Sequence, residues 1–168
     1  DFNLGGKMKR IFSVIVENES GVLSRIANLF SARGYNIESL NVAPINELNL
    51  SRMTIVTEGD ENILEQIGKQ LNKLIDTIKV IEYSDDVAYV EREMALIKMH
   101  TDSSTRAEIL RIVDIFRGKI VDVSQNSYTI EVTGSSEKIN AILNLLEPLG
   151  IKEIARTGKV AMSRESKQ

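Results

Sequence analysis

A pattern of strand, helix, strand, strand, helix and strand occurs twice along the 168 residues of this chain. Each copy begins with an apolar run typical of a strand, and its helical segments carry apolar residues three or four positions apart. The order βαββαβ is typical of the ferredoxin-like fold, in which two helices cover one face of a four-stranded antiparallel sheet. The sequence therefore predicts an α+β protein made of two ferredoxin-like domains.

The first copy occupies residues 8–83. Gly34 stands where the end of a helix needs a positive φ, and Asp60 stands where the start of a helix needs an N-cap. We predict strands at 10–16, 36–43, 50–57 and 78–83, a helix at 22–32, and a second helix that begins near Asp60 and buries Ile63, Ile67, Leu71 and Leu74.

The second copy occupies residues 92–164, after a predicted linker at 84–91. The segment 117–119 (Arg-Gly-Lys) repeats the helix exit at 33–35, and we leave residues 1–7 out of the predicted fold. A charged tail from Ser163 is predicted to be frayed. We predict strands at 94–99, 120–123, 128–132 and 151–155, a helix capped by residues 101–104, and a helix capped by Ser135 or Ser136 and ended by Pro148 and Gly150.

Two of the predicted strands are largely apolar on both faces, at 12–16 and 94–97. A sheet with helices on only one face should instead alternate apolar and polar side chains. We therefore expect something to cover the second face or extend the sheet edges, and we expect a homodimer or a higher oligomer.

The loop between the first strand and the first helix has the composition of a ligand site. Residues 17–25 read Glu-Asn-Glu-Ser-Gly-Val-Leu-Ser-Arg, so the helix opens at a glycine beside acidic and amide side chains. Unpaired N–H groups and the positive end of a helix dipole bind anions, and nearby oxygens could hold a cation. A free amino acid carries both a carboxylate and an ammonium group, so the loop is typical of a site for such a molecule. An ordinary turn with Ser20 or Gly21 as N-cap remains the alternative.

The second copy lacks this composition. Aligning Gly34 with Gly118 places Ser20-Gly21 opposite Ser104-Thr105, where the glycine and the Asn-Glu pair are missing. Close approach of a ligand to the backbone is harder without glycine. We expect the first copy to be a sensor and the second to bind a partner or to dimerise.

Composition excludes several classes of function. The chain has no cysteine and one histidine, His100, which we expect to be structural or on the surface, so thiolate metal sites and most histidine-based catalysis are excluded. The net charge is -3, no large basic patch occurs, and aromatic residues make up 5%, which argues against nucleic-acid binding. We find no membrane span and no signal peptide, so a cytoplasmic protein is the expectation.

Several blocks of the sequence resemble the ACT domain, a family of amino-acid-binding regulatory modules, and more narrowly the small regulatory subunit of acetolactate (acetohydroxyacid) synthase. The resemblance covers residues 8–164. The blocks that carry it are residues 16–25, 33–40, 50–55, 116–123 and 155–158.

The resemblance implies that the chain binds and activates a thiamine-diphosphate-dependent catalytic subunit, and confers feedback inhibition by a branched-chain amino acid, most often valine. Thiamine diphosphate, magnesium and FAD are expected on that partner, with no cofactor and no metal on this chain. Leu23 and Ile37 would line a pocket sized for an isopropyl group. The implied effector-binding residues are Asn18, Gly21, Val22, Leu23, Asn36 and Ile37.

Within this implied site, backbone groups of Gly21, Val22 and Leu23 would bind the effector carboxylate. Asn18 would accept a hydrogen bond from the ammonium group, and Asn36 would hold either polar group. In the family the site lies between two ACT domains, so the resemblance implies that the loop and Asn36 come from different protomers.

We predict no catalytic residues in this chain. Glu17 and Glu19 have no histidine or metal partner evident in the sequence, and Ser20 and Ser24 have no recognisable base. A phosphate hydrolase of this fold would need an arginine-bearing loop where this chain is acidic. No segment is left over for a helix-turn-helix. A stand-alone amino-acid-sensing protein that regulates another enzyme is the alternative function.

Overall fold

The structure, a computed structural model, describes residues 6–165. Most of residues 1–7, which the sequence analysis left out of the fold, lie outside this range. The elements in chain order are β1 (Met8–Glu17), α1 (Val22–Arg33), β2 (Asn36–Pro44), β3 (Leu50–Gly59), α2 (Glu61–Lys73), β4 (Thr77–Tyr83), β5 (Tyr89–His100), α3 (Arg106–Ile115), β6 (Lys119–Val123), β7 (Ser127–Gly134), α4 (Ser136–Gly150), β8 (Ile151–Arg156) and β9 (Val160–Ser163).

The chain forms two compact units, and the predicted α+β architecture with two antiparallel sheets is confirmed. Within residues 6–165, the first unit contains 6–90 and 159–165, and the second contains 91–158. The first sheet has the strand order β2-β3-β1-β4, and the second has the order β6-β7-β5-β8, with β9 also paired to β5.

The core of the first unit lies between its helices and one face of its sheet. Phe12, Val14 and Val16 alternate along β1 and are almost completely buried in this core, as the period of a strand requires. Asp60 caps α2 as predicted, because its side chain accepts a hydrogen bond from the Ile63 N–H at 2.8 Å. The buried stripe of α2 consists of Leu64, Ile67 and Leu71, whereas the predicted Ile63 and Leu74 are only partly buried against it.

The opposite face of this sheet is covered from within the chain. Ile11 and Val56 on this face are buried in a second cluster together with Tyr83 and with Ala161 from β9. The strand β9 was not predicted, and Ser163, expected to begin a frayed tail, is its last residue. The apolar second face of β1 is therefore accounted for in part by β9, and it does not by itself require a second chain.

A partly buried arginine links β9 to the sheet. Arg52 Nη1 donates to the Ala161 carbonyl at 3.2 Å and to Ser13 Oγ at 3.1 Å. Ser13 is completely buried in the middle of β1, so this polar side chain on an apolar face has a charged partner. After β9, the Arg164 N–H donates to the Ala88 carbonyl at 2.9 Å.

The second unit repeats the arrangement with its own core. Ala95, Ile97 and Met99 alternate along β5 and are completely buried against α3 and α4. On the other face of β5, Leu96 is exposed and is followed by Lys98, which pairs with Glu153 on β8 at 3.2 Å. The residues 94–97 are therefore apolar on both faces as predicted, but the second face becomes charged immediately after them.

Two predicted boundaries differ from the structure. The predicted linker is 84–91, whereas β5 begins at Tyr89, whose ring packs on Tyr83 with centroids 5.0 Å apart. The predicted second domain is 92–164, whereas the residues after Gly158 group with the first unit in the structure. Both differences arise from aromatic and small residues that pack on the second face of the first sheet.

None of the helices in residues 6–165 is long and apolar enough to span a membrane.

Candidate functional site

The loop after β1 is held between two other loops of the first unit. The Asn18 N–H donates to the Asn49 carbonyl at 2.6 Å, and the Glu17 N–H donates to the Asp76 carbonyl at 3.0 Å. Asn49 adopts a positive φ of 63°, a conformation that asparagine tolerates better than most residues. The loops 17–21, 45–49 and 74–76 therefore converge at one end of the sheet.

The first helix opens without a side-chain cap. Gly21 is the N-cap, with φ 89° and ψ -10°, so glycine rather than Ser20 occupies this position. The Val22 N–H donates only to the Glu19 carbonyl, at 3.5 Å, and the N–H groups of Leu23 and Ser24 have no partner within residues 6–165. Such groups at the start of a helix are able to bind an anion.

Three carboxylates lie beside this helix opening. One oxygen from each of Glu17, Glu19 and Asp76 falls within 4.8 Å of the others. Arg25, one turn into the helix, donates from Nε to the largely buried Asp76 carboxylate at 2.6 Å. This hydrogen bond is the main reason why the pKa of Arg25 is raised, against a smaller lowering by desolvation. The sequence shows no histidine or metal partner for Glu17 and Glu19, and the structure places the Asp76 carboxylate beside them.

An open cavity of about 470 Å³ adjoins these groups. It is lined by two of the carboxylates, by the amide side chain of the loop and by apolar side chains. Its lining residues are Glu17, Asn18, Glu19, Leu48, Asn49, Leu50 and Ile78. Chemically, the end of the sheet offers N–H donors for an anion, carboxylates for a cation and apolar side chains for a hydrocarbon group.

The six predicted effector residues have different environments in the structure. Asn18 and Gly21 are exposed in the loop, and Leu23 is about half exposed. Val22 is buried in the core, so only its backbone is able to face a ligand. Ile37 is partly buried and packs against the same core instead of standing open as a pocket wall.

Asn36 lies at the other end of the sheet. It pairs with Glu58 on β3, and Glu58 pairs with Lys9 near the start of β1, whereas Asn18 follows the end of β1. With about 3.3 Å per strand residue, the two asparagines are more than about 20 Å apart in one chain. A single chain therefore does not bring Asn36 and Ile37 to the loop.

Sequence reasoning missed the groups that the two other loops contribute. Asp76, Leu48 and Ile78 are far from the loop 17–21 along the chain and enter the site only through strand pairing. No spacing pattern within the sequence points to them.

The second unit carries a carboxylate in the turn before the matching helix. Asp102 Oδ1 accepts hydrogen bonds from the Ser104 N–H at 2.8 Å, the Ser104 hydroxyl at 2.5 Å and the Thr105 N–H at 3.1 Å. This carboxylate lies in the turn just before α3, where its negative charge disfavours a second anion. Within residues 6–165, the opening of α1 has no such carboxylate hydrogen-bonded into its turn.

The same hydrogen bonds predict a pH dependence. The Ser104 hydroxyl bond, followed by the Ser104 N–H bond, lowers the pKa of Asp102. A carboxylate with a lowered folded-state pKa stabilises the fold above its unfolded value, near 3.9, and loses this contribution as the pH falls through the folded value. Asp102→Asn should therefore be less stable than the wild type at pH 7, with a gap that narrows below about pH 4. Urea unfolding of both proteins between pH 2 and 7 measures this difference in stability. A difference that does not change with pH would contradict a lowered pKa of Asp102 in the folded state.

Comparisons with known proteins show the family to which this chain belongs. Residues 12–79 match the family model described as the AHAS small subunit-like ACT domain, and residues 92–165 match that of the small subunit of acetolactate synthase. The chain is 59% identical over 162 residues to the acetolactate synthase small subunit of Aquifex aeolicus, covering 96% of this chain and 84% of that protein. The chain belongs to the acetolactate synthase small-subunit family.

Two further relatives support the family assignment. The isozyme 3 small subunit of Escherichia coli is 51% identical over 161 residues, with 95% of this chain and 98% of that protein covered. The crystal structure of the acetolactate synthase small subunit from Thermotoga maritima matches with a TM-score of 0.86 and 44% identity, covering 95% of this chain and 99% of that one. The resemblance drawn from the sequence blocks is thereby confirmed.

Proposed function

We propose that this chain is a non-catalytic subunit that activates the thiamine-diphosphate-dependent catalytic subunit of acetolactate synthase and makes it sensitive to a branched-chain amino acid, with valine as the expected effector. The observation that carries the sensing role is the uncapped helix opening at Gly21 beside three carboxylates. Membership of the small-subunit family supports the choice of partner.

The effector would bind as a zwitterion at the end of the first sheet. Its carboxylate would accept hydrogen bonds from the N–H groups of Val22, Leu23 and Ser24, where the helix dipole favours negative charge. Its ammonium group would lie toward Glu19 and the Asn18 side chain, because opposite charges and amide oxygens stabilise it there. The apolar side chains at the rim of the cavity would contact the hydrocarbon part.

A second protomer would complete the site. Strand β2 lies at the edge of its sheet, so its outer edge is available for pairing with a second copy. If two copies of β2 pair antiparallel about a two-fold axis near Leu40, Asn36 of one protomer lies opposite Pro44 of the other. Pro44 pairs with Ser51, whose neighbour pairs with Glu17, so Asn36 would lie at the same end of the joined sheets as the loop of the other protomer.

The cofactors of the reaction belong to the partner in this proposal. Thiamine diphosphate, magnesium and FAD would be bound by the catalytic subunit, and this chain would contribute no reacting group. This chain would bind the active and inactive forms of the catalytic subunit with different affinities. The effector would change that difference in affinity and so shift the balance between the two forms.

The test is a steady-state assay of pyruvate consumption with purified components. We expect the chain alone to show no turnover, the catalytic subunit to become faster when the chain is added, and valine to reduce the rate of the mixture. Calorimetry with valine, leucine and isoleucine on the isolated chain identifies the effector. Pyruvate turnover by the chain alone, or a catalytic subunit unaffected by the chain, would contradict the proposal.

A further inference from the structure

The side chain of Arg25 lies at the opening of the first helix. Arg25 is one turn inside α1, and its N–H donates to the Gly21 carbonyl at 2.9 Å. Side chains on a helix lean toward its N-terminus, and Nη1 of Arg25 lies 3.0 Å from the point where Gly21 would carry a Cβ. The guanidinium group therefore lies against Gly21, next to the uncapped start of the helix.

One edge of this guanidinium group is held by a carboxylate. Asp76 Oδ2 accepts from Arg25 Nε at 2.6 Å, and the Asp76 side chain is 8% exposed whereas that of Arg25 is 44% exposed. The Asp76 carbonyl also accepts from the Glu17 N–H, so Asp76 is fixed to the loop 17–21. Within residues 6–165, Nη1 and Nη2 of Arg25 have no hydrogen-bond partner. The arginine is thus fixed in place while its two Nη groups are available to a ligand.

The charges around Arg25 favour a zwitterion over a metal ion or a lone anion. Oxygens of Glu17, Glu19 and Asp76 lie within 4.8 Å of one another, and three carboxylates alone would repel the carboxylate of an amino acid. Arg25 compensates Asp76 and offers positive charge at the helix start, and it would repel a metal ion there. In the part of the chain that the structure describes, Glu17 and Glu19 have no ion-pair partner, so they are available to an ammonium group.

We infer that Nη1 and Nη2 of Arg25 bind the carboxylate of the effector together with the N–H groups of the helix, and that Asp76 positions Arg25 for this role. This inference rests on the proposed function, because it adds a residue to the same effector site. A guanidinium group binds a carboxylate through two parallel hydrogen bonds, a geometry that an amide or a hydroxyl group does not match. The effector class is therefore restricted to amino acids with a free α-carboxylate.

The test is calorimetry of the full-length chain with valine and with valinamide at about pH 7, where the amino groups of both ligands are mostly protonated. Valinamide has the same side chain but no carboxylate, so the wild type should bind valine more tightly. Arg25→Gln should weaken the binding of valine on the order of tenfold or more, because it removes charged hydrogen bonds. It should not weaken the binding of valinamide, because the lost guanidinium group has the same sign of charge as this ligand.

A second variant separates ligand binding from stability. Arg25→Gln leaves the buried Asp76 carboxylate without its partner, which lowers the stability of the fold. The double variant Arg25→Gln/Asp76→Asn replaces both groups by amides and removes one charge of each sign, so the net charge of the site does not change. It should lose affinity for valine like the single variant and should bind valinamide like the wild type. Circular dichroism establishes that both variants are folded.

The matched control is Arg111→Gln in the second unit. Arg111 lies on α3 and pairs with Glu108 at 2.5 Å, so this substitution also breaks an arginine–carboxylate pair on a helix. It should leave the affinity for both ligands unchanged. A loss of valine affinity as large as that of Arg25→Gln would overturn the inference.

The outcomes separate this inference from the proposed function. If the wild type binds valine, and both Arg25 variants bind it equally well or lose affinity for valine and valinamide alike, Arg25 is only a structural partner of Asp76. The inference is then wrong while the proposed function stands. If the wild type binds no branched-chain amino acid, the proposed function and this inference both fail.

Discussion

Gly21→Asp should lower the affinity for the branched-chain effector on the order of a hundredfold or more. The new carboxylate would stand at the helix opening, beside the N–H groups proposed to bind the carboxylate of the effector. Two like charges about 4 Å apart repel by roughly 1 kcal/mol in water and about 4 kcal/mol near a protein surface. Since each ~1.4 kcal/mol corresponds to a factor of ten, the upper part of this range gives the expected loss.

The backbone at Gly21 adds a second effect, which a control variant separates. Gly21 has φ +89°, where a side chain is strained, and an added Cβ would lie 3.0 Å from Arg25 Nη1. Gly21→Ala carries the same strain and the same Cβ but no charge. We expect Gly21→Ala to lose less affinity than Gly21→Asp, and the difference measures the electrostatic part.

Two other variants locate the sensor. Asn36→Ala should weaken effector binding less than Gly21→Asp, because it removes hydrogen bonds without adding repulsion. Thr105→Asp places the same charge at the N-cap of α3 and should leave inhibition unchanged, because the matching loop lacks the glycine and already carries the Asp102 carboxylate. The measurements are calorimetry with valine and inhibition by valine of the mixture of chain and catalytic subunit. Without valine, every variant should still stimulate the catalytic subunit. Inhibition that persists in Gly21→Asp, or disappears in Thr105→Asp, would place the sensor elsewhere.

Ala161→Lys should destabilise the first unit by about 3 kcal/mol or more. Ala161 is 5% exposed and packs on Ile11, Val56 and Tyr83, so a lysine there would be forced into an apolar cluster. The nearby cation is Arg52, which donates to the Ala161 carbonyl, so the new ammonium group would face a like charge. Burial of an uncompensated charge is among the largest effects of a single substitution.

Met162→Lys is the matched control. Met162 is the next residue of β9 but is 62% exposed, so the same change should alter stability by no more than about 0.5 kcal/mol. Urea unfolding followed by circular dichroism gives the stability, and hydrogen exchange of peptides from β1 shows which unit loses protection. Equal effects of the two substitutions would mean that β9 does not cover the sheet as described.

The sequence was sufficient to predict the elements whose signals are local. The apolar stripe of α1, the N-cap at Asp60 and the helix exit at Gly34 are all present as predicted. Gly34 has φ 68°, as predicted for a helix end. In the second copy the positive φ of 54° falls on Arg117 instead of Gly118, although both copies carry Arg-Gly at this place. Local sequence signals therefore predict the helices and strands, but they do not always predict which residue takes the positive φ at the end of a helix.

The features that the sequence did not reveal depend on contacts between distant segments. Strand β9 is four residues long and lies in a charged tail, so its pattern alone does not distinguish it from a loop. Its stability comes from Arg52 and from the apolar face of β1, which are far away in the chain. Asp76 joins Glu17 and Glu19 for the same reason, because the pairing of β4 with β1 determines that proximity.

The most direct test of the proposed sensor uses protomers that carry different substitutions. If the loop of one protomer and Asn36 of the other form each site, a purified mixed dimer of Gly21→Asp and Asn36→Ala has one site with both substitutions and one with neither. Calorimetry should then show half of the sites binding valine with wild-type affinity, although neither homodimer does so. A mixed dimer without any wild-type site would show that the loop and Asn36 do not combine across protomers, and would contradict the account.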